Sequence, residues 1–209
     1  MDSGYITVCR AAEAEITEKR SRFIAQVFPV KTEDEANSII AQIRKKHHDA
    51  RHNVFAFVLQ NGNISRYTDD GEPSGTAGVP MLEIIRRRGI TDCLVVVTRY
   101  FGGILLGTGG LARAYAAACA RGLDEAGKAA VKKAHSVTIE CDYADYDSVL
   151  RVVAQCGAIT DNAEFLQNVK MHLKIKTELF EILQKSLNER FCGKINAQIT
   201  GETELYEEL

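Results

Sequence analysis

No apolar run in this 209-residue chain is long enough to cross a bilayer, so a helical membrane protein is excluded. The opening residues, MDSGYITVCRAAEAE, lack the basic, apolar and small-residue succession of a secretory leader. The six cysteines, at positions 9, 93, 119, 141, 156 and 192, include no C-x-x-C pair. Such scattering excludes a disulfide framework and any recognisable zinc pattern, and it predicts reduced, mostly buried thiols in a cytoplasmic protein. No glycine-rich segment ends in Gly-Lys-Ser or Gly-Lys-Thr, which removes the Walker-type phosphate loop, and no G-x-S-x-G elbow presents a serine nucleophile. Internal repeats and low-complexity segments are absent, no motif calls for a cofactor, and nothing fixes an oligomeric state.

What the chain does have is an ordinary globular composition, 45% hydrophobic and 26% charged, and enough length for one large or two modest domains. Its net charge of −2 conceals a split. Residues 1–134 carry 19 Lys and Arg against 15 Asp and Glu, whereas residues 135–209 carry 7 against 13. The first part is the one that would meet a polyanion, and the acidic second part is a candidate surface for a protein partner.

Residues 5–30 hold two strand-like runs, the second stopped by Pro29. Thr32 and Glu35 form a capping box ahead of Ala36, Ile39, Ile40 and Ile43, which recur at helical spacing. Residues 53–59 read as an apolar strand followed by a turn at Asn61-Gly62-Asn63, and residues 66–80 read as loop. A short helix over 81–88, a buried strand over 93–97 and a helix over 111–122 complete a first domain of residues 1–130. Residues 127–134 read as the linker to a second domain of residues 135–209. There Val137, Ile139 and Cys141 alternate in a strand, and Tyr146, Val149, Leu150 and Val153 fit a helix. A short strand near 158–160 follows, and then Val169, Met171, Leu173 and Ile175 alternate with Lys170, His172, Lys174 and Lys176. A helix capped by Thr177 and a last strand at Ile195, Ala197 and Ile199 complete the order βαββαβ, which predicts a ferredoxin-like antiparallel sheet with both helices on one face. The fold class is therefore α+β. The open face of that sheet has no aromatic pair, which argues against base stacking of the RNA-recognition-motif type.

The stretch RYFGGILLGTGGLARAY, from Arg99 to Tyr115, holds five of the sixteen glycines between Gly102 and Gly110. It joins the buried strand to a strongly helical run, with Thr108 as the expected N-cap and Gly109 and Gly110 as the first helical residues. Free amides and the helix dipole then point the same way, which suits an anion. A tight strand-to-helix crossover explains the glycines equally well. Gly107-Thr108-Gly109-Gly110-Leu111-Ala112 satisfies G-x-G-x-x-A, but eight residues separate it from Thr98 at the strand end, and no acidic strand terminus follows at the expected distance. The dinucleotide reading is rejected, and a nest for phosphate or backbone survives.

Asp69, Asp70 and Glu72 place three carboxylates within four residues, close to Ser74. A pair of them beside a phosphate suits Mg²⁺, while Asp-Gly-Glu-Pro is also plain turn chemistry, and the turn is favoured. His47, His48 and His52 lie among Arg44, Lys45, Lys46 and Arg51. The spacing of His48 and His52 fits zinc only on a continuous helix, and there is no H-E-x-x-H. Surface residues at a helix end are the simpler reading. Arg86-Arg87-Arg88 forms a second basic run, and such runs are usually solvated faces.

These residues carry a resemblance. Thr68-Asp69-Asp70-Gly71-Glu72-Pro73-Ser74-Gly75-Thr76-Ala77-Gly78, together with Val97-Thr98-Arg99-Tyr100-Phe101-Gly102-Gly103, Leu106-Gly107, Gly109-Gly110-Leu111 and Arg113-Ala114-Tyr115, closely resembles the IMPACT/YigZ family. Ala50-Arg51-His52-Asn53-Val54-Phe55-Ala56 matches that family's shorter upstream motif. The match covers roughly residues 1–125, and the two-domain layout is similar to the bacterial YigZ-like branch. The resemblance implies a first domain of the βαβ type shared by a ribosomal protein domain, domain IV of elongation factor G and the GHMP kinases. It implies a ferredoxin-like second domain similar to domain V of the same factor, and a link to translational control. The extra N-terminal domain of eukaryotic members has no room before Tyr5, so their scaffold-binding role is not carried over. With the resemblance, Asp69–Gly75 and Arg99–Arg113 read as one shared surface site.

Two functions from different classes follow. In the favoured one the chain is a ribosome- or RNA-associated binding protein rather than an enzyme. Arg99, Arg113, His52 and the backbone of Gly102, Gly103, Gly107, Thr108, Gly109 and Gly110 meet phosphates, while Tyr100 or Phe101 stacks on a base. In the other, a metal held by Asp69, Asp70 and Glu72 assists an enzyme acting on a phosphorylated small molecule, but the missing lysine and adenine site weigh against a kinase.

Overall fold

The computed structural model describes residues 4–60 and 63–209, so Asn61 and Gly62 of the expected turn lie outside the described residues. Two compact units are present, Tyr5–Ala130 with Glu208–Leu209, and Val131–Glu207 with Gly4.

The first unit runs β1 (Tyr5–Val8), β2 (Ala12–Glu18), β3 (Ser21–Pro29), α1 (Glu33–Lys46), β4 (His52–Leu59), β5 (Ile64–Thr68), α2 (Gly78–Arg87), β6 (Cys93–Tyr100) and α3 (Thr108–Ala126). Five strands form an antiparallel sheet in the order β2-β3-β6-β4-β5. The continuous apolar run of β6 is explained by its central place, because both of its faces are covered. Cys93, Val95 and Val97 pack with Phe23, Ala25 and Val27 in the core that α2 and α3 close through Met81, Ile85, Tyr115 and Cys119. Leu94 and Val96 point the other way, into a smaller core with Phe57, Leu59 and the α1 residues Ala36, Ile40 and Ile43. Thr32 caps α1, since the Glu35 amide donates to Thr32 Oγ1 at 3.1 Å, while Glu35 Oε2 reaches one residue further back and accepts from the Lys31 amide at 2.7 Å.

The structure departs from the sequence-based expectation at several boundaries. Residues 5–30 form three strands rather than two, and residues 64–68, expected in part as loop, are the edge strand β5. Helix α3 is capped by Gly107 at φ 73°, with Thr108 already its first helical residue. A left-handed entry to the helix favours glycine, which displaces Thr108 from the cap. Residues 127–134, expected as linker, mostly belong to a strand, and the chain turns out of α3 at Gly127 alone, with φ 67°.

In the second unit β7 (Lys128–Cys141), α4 (Tyr146–Gln155), β8 (Ile159–Phe165), β9 (Val169–Lys176), α5 (Phe180–Phe191) and β10 (Ala197–Glu208) give the ferredoxin-like order, with β9 between β7 and β8 and with β10 also on β7. Thr177 opens a 3-10 turn, Thr177–Leu179, instead of capping α5. Val137, Ile139, Val149, Val153, Met171, Leu173, Leu183 and Leu187 fill its core. On the open face three lysines meet carboxylates, Lys170 with Glu140 at 3.7 Å, Lys174 with Asp161 at 2.8 Å and Lys176 with Glu207 at 2.6 Å, and His172 Nε2 lies 3.0 Å from Glu164. Most of the lysine charge that the sequence alternation placed there is thus matched by neighbouring carboxylates.

Candidate nucleic-acid interface

The loop after β5 is organised by its three carboxylates, and each is engaged by a different set of protein donors. Asp69 accepts the amides of Gly75, Ala77 and Gly78 at 2.8–3.0 Å, so it caps the start of α2 from a distance. Asp70 accepts the Asn53 amide at 2.6 Å and Arg44 Nη2 at 2.9 Å. Glu72 turns inward. Its Oε1 accepts from Arg99 Nη1 at 2.6 Å and from the Tyr115 hydroxyl at 2.8 Å, with His52 Nε2 at 3.9 Å. Burial, and after it the Glu72 charge, push the Tyr115 phenol well above its usual pKa, so this hydroxyl remains a donor. Among the described residues no three His, Cys, Asp or Glu side chains form a metal-sized group. Ser74 is exposed in the same loop.

The sequence placed Arg99 and His52 among the phosphate contacts and Tyr100 as a base-stacking candidate, and the structure holds all three by internal bonds. Arg99 is 6% exposed, and its guanidinium carbon lies 5.5 Å from the Phe23 ring centre and 5.6 Å from that of Phe101. The Tyr100 hydroxyl donates to Asp49 at 2.9 Å and lies 3.0 Å from His47 Nδ1. His52 Nδ1 lies 2.8 Å from the Asp70 carbonyl, which fixes the proton on that nitrogen. The same loop leaves Phe101 half exposed and Gly103, Gly107, Thr108, Gly109 and Arg113 at the surface, with Gly102 and Gly110 partly covered.

Helix α3 presents its start to this surface. Its first paired amide is that of Leu111, which donates to the Gly107 carbonyl at 2.9 Å, so the amides of Thr108, Gly109 and Gly110 have no partner within the helix. Its first turn has no acidic residue. Instead a cation lies there, because a β-carbon on Gly109 would come within 3.5 Å of Arg113 Nη1. Among the described residues no carboxylate pairs with Arg113.

Beside the helix start stands a feature that the sequence reading missed. The two residues between β2 and β3, Lys19 and Arg20, both have positive φ, 45° and 67°. A two-residue hairpin with both centres in this region normally carries Asn-Gly, and long side chains there are costly. The turn packs its backbone against the glycine loop: a β-carbon on Gly102 would overlap the Arg20 carbonyl, and the Gly102 amide donates to Ser21 Oγ at 3.1 Å. A cavity of about 260 Å³ between hairpin and helix is lined by Ile16, Glu18, Lys19, Leu106, Gly110 and Arg113.

Residues 19–123 match the family model described as the Impact N-terminal domain, and residues 139–194 match a domain of unknown function, DUF1949. A Bacillus subtilis protein, IMPACT family member YvyE, is 38% identical over 91% of this chain and 88% of its own length. The chain belongs to the IMPACT family. IMPACT family member YigZ of Escherichia coli is 34% identical over 70% of this chain and 74% of its own. Rat Protein IMPACT is 34% identical over 45% of this chain and only 31% of its own length, so this chain shares with it one region. A crystal structure of a hypothetical protein aligns over 95% of this chain and 98% of its own with a TM-score of 0.62 at 27% identity. The matched first region of this IMPACT family member contains the glycine loop, the buried Glu72 cluster and the Lys19-Arg20 turn. No helix among the described residues is long and apolar enough to cross a membrane.

Proposed function

We propose that this protein is a ribosome- or RNA-associated binding protein that takes part in regulating translation, and that it grips backbone phosphates at the start of α3. The observation that supports this reading is the pile-up of positive potential there. Three unpaired amides, the positive end of a 19-residue helix and the Arg113 guanidinium share one place, with no acidic residue in the first turn. A cation at that end of a helix is unfavourable by itself, and a bound anion reverses the sign. Lys19 and Arg20 extend the footprint along the hairpin, and the exposed half of Phe101 offers a stacking platform held from behind by Arg99. Arg99 and Glu72 act in this reading as the internal support of the platform.

Fluorescence anisotropy with a single-stranded oligouridylate across a salt series tests the reading. Affinity falls linearly in log–log form as salt rises, and replacing Arg113 or Lys19 by alanine lowers the slope by about one each. Phe101→Ala weakens binding by about 1–3 kcal/mol with the slope unchanged. Salt-independent binding, or a slope untouched by Arg113→Ala, contradicts it.

A further inference from the structure

The second unit carries an exposed aromatic patch that its fold does not use. At the end of the sheet where β7 gives way to α4, the sequence reads Asp142-Tyr143-Ala144-Asp145-Tyr146-Asp147, two tyrosines interleaved with three aspartates. Tyr143 is 54% exposed, Phe165 54% and Leu166 75%. The patch is held in place. The Tyr143 hydroxyl donates to the Leu166 carbonyl at 2.8 Å, Phe165 meets Tyr146 edge-on at 5.4 Å between centroids and Tyr143 at 6.3 Å, and the Leu166 amide closes the β8–β9 turn on the Asn168 carbonyl at 3.1 Å. A contiguous exposed apolar patch rimmed by charged residues is the surface pattern that marks an interaction site.

Charge decides what the patch receives. Among the described residues Asp142, Asp145 and Asp147 have no ion pair, and residues 135–209 are acidic by 13 to 7. Lys170 lies opposite Glu164 in the β8–β9 register and forms its ion pair with Glu140 at 3.7 Å, on the opposite, open face of the sheet. A phosphate backbone would be repelled here. We propose that this surface docks a segment of another protein in which Lys or Arg alternates with large apolar residues, the apolar groups seating on Tyr143, Phe165 and Leu166 and the cations meeting the three aspartates. Such an arrangement joins aromatic anchors to a charged rim, the pattern that gives affinity and fast association together. It is independent of the phosphate site on the first unit.

The test is a titration of the full ¹⁵N-labelled chain with a synthetic peptide of four Lys-Lys-Leu repeats, with a Glu-Glu-Leu counterpart and oligouridylate as alternative probes. The expected result is saturable shifts of the amides at 142–147 and 165–168 with the basic peptide only. Affinity should fall tenfold or more both in Leu166→Ser, which leaves the charge untouched, and in the triple variant Asp142→Asn, Asp145→Asn, Asp147→Asn. The unshifted remainder of the spectrum reports that each variant is folded. Shifts spread instead over the glutamates of β10, an affinity unchanged in Leu166→Ser, or oligouridylate moving the same amides would overturn the proposal.

Discussion

Glu72 Oε1 accepts a 2.6 Å hydrogen bond from Arg99 Nη1 with both side chains withdrawn from solvent, at 3% and 7% exposure. The pair joins the loop after β5 to the end of β6, directly beneath the glycine loop, and the Tyr115 hydroxyl adds a tie to α3. Removing one partner of a buried pair leaves the other uncompensated. Glu72→Ala should therefore lower the unfolding free energy by about 3–5 kcal/mol. Tyr115→Phe, which removes a bond to a charged acceptor, should cost about 1.5–3 kcal/mol. Urea unfolding measures both. A loss below about 1 kcal/mol for Glu72→Ala, no more than an exposed ion pair contributes, would show that the pair does not hold these elements together.

Gly102 is required for space. Its missing β-carbon faces the Arg20 carbonyl and the Ser21 amide, so a methyl group there must push the β2–β3 hairpin off the glycine loop. We expect Gly102→Ala to destabilise the first unit by about 1–3 kcal/mol and to weaken RNA binding together with it. Gly103→Ala is the control. It has open space around it but φ 82°, so its effect comes from backbone strain alone and should be smaller, about 1 kcal/mol. Equal thermal midpoints for Gly102→Ala and the unaltered chain would contradict the close contact.

His47 makes stability depend on pH. Burial, and then the nearby Lys46 charge, hold its pKa below the ordinary 6.5, and the Tyr100 hydroxyl lies 3.0 Å from Nδ1. The unfolded chain takes up this proton first on acidification. The contribution of neutral His47 is therefore complete above about pH 6.5 and is lost as the pH falls below it toward the depressed folded value. Urea midpoints between pH 7.5 and pH 5 should decline, and less steeply in His47→Gln. Identical slopes would show that the group does not titrate as its burial requires.

Those residues also show where the sequence was legible. The Thr32 cap of α1, the two-sided burial of β6 and the βαββαβ order of the second unit follow from local signals, namely a cap at fixed spacing, an unbroken apolar run and clean alternation. The edge strand β5 was less visible, because Arg66 and Tyr67 are exposed and only half of its residues have a core to alternate against. The turn at Lys19-Arg20 was hidden by its chemistry, since this hairpin shape is signalled by Asn-Gly rather than by two long cations. Arg99 looked like a surface cation because its acid lies 27 residues away in sequence, and only the pairing of His52 with Arg99 across β4 and β6 brings that loop over it. The glycine-rich start of α3 after the apolar β6 run was legible in the sequence, but the place of Arg113 beside Gly109 needed three dimensions.

The most direct test of the proposed function is sedimentation of the purified protein with ribosomes across a salt series, with Arg113→Ala and the double variant Lys19→Ala, Arg20→Ala as controls. Arg99→Ala is unsuitable, because it would disturb the buried cluster as well as any contact. The expected result is co-sedimentation at low salt that falls steeply as salt rises and is reduced in both controls while their thermal midpoints stay within a few degrees of the unaltered protein. Failure to co-sediment even at low salt, or co-sedimentation indifferent to both sets of substitutions, would contradict a phosphate grip at the start of α3.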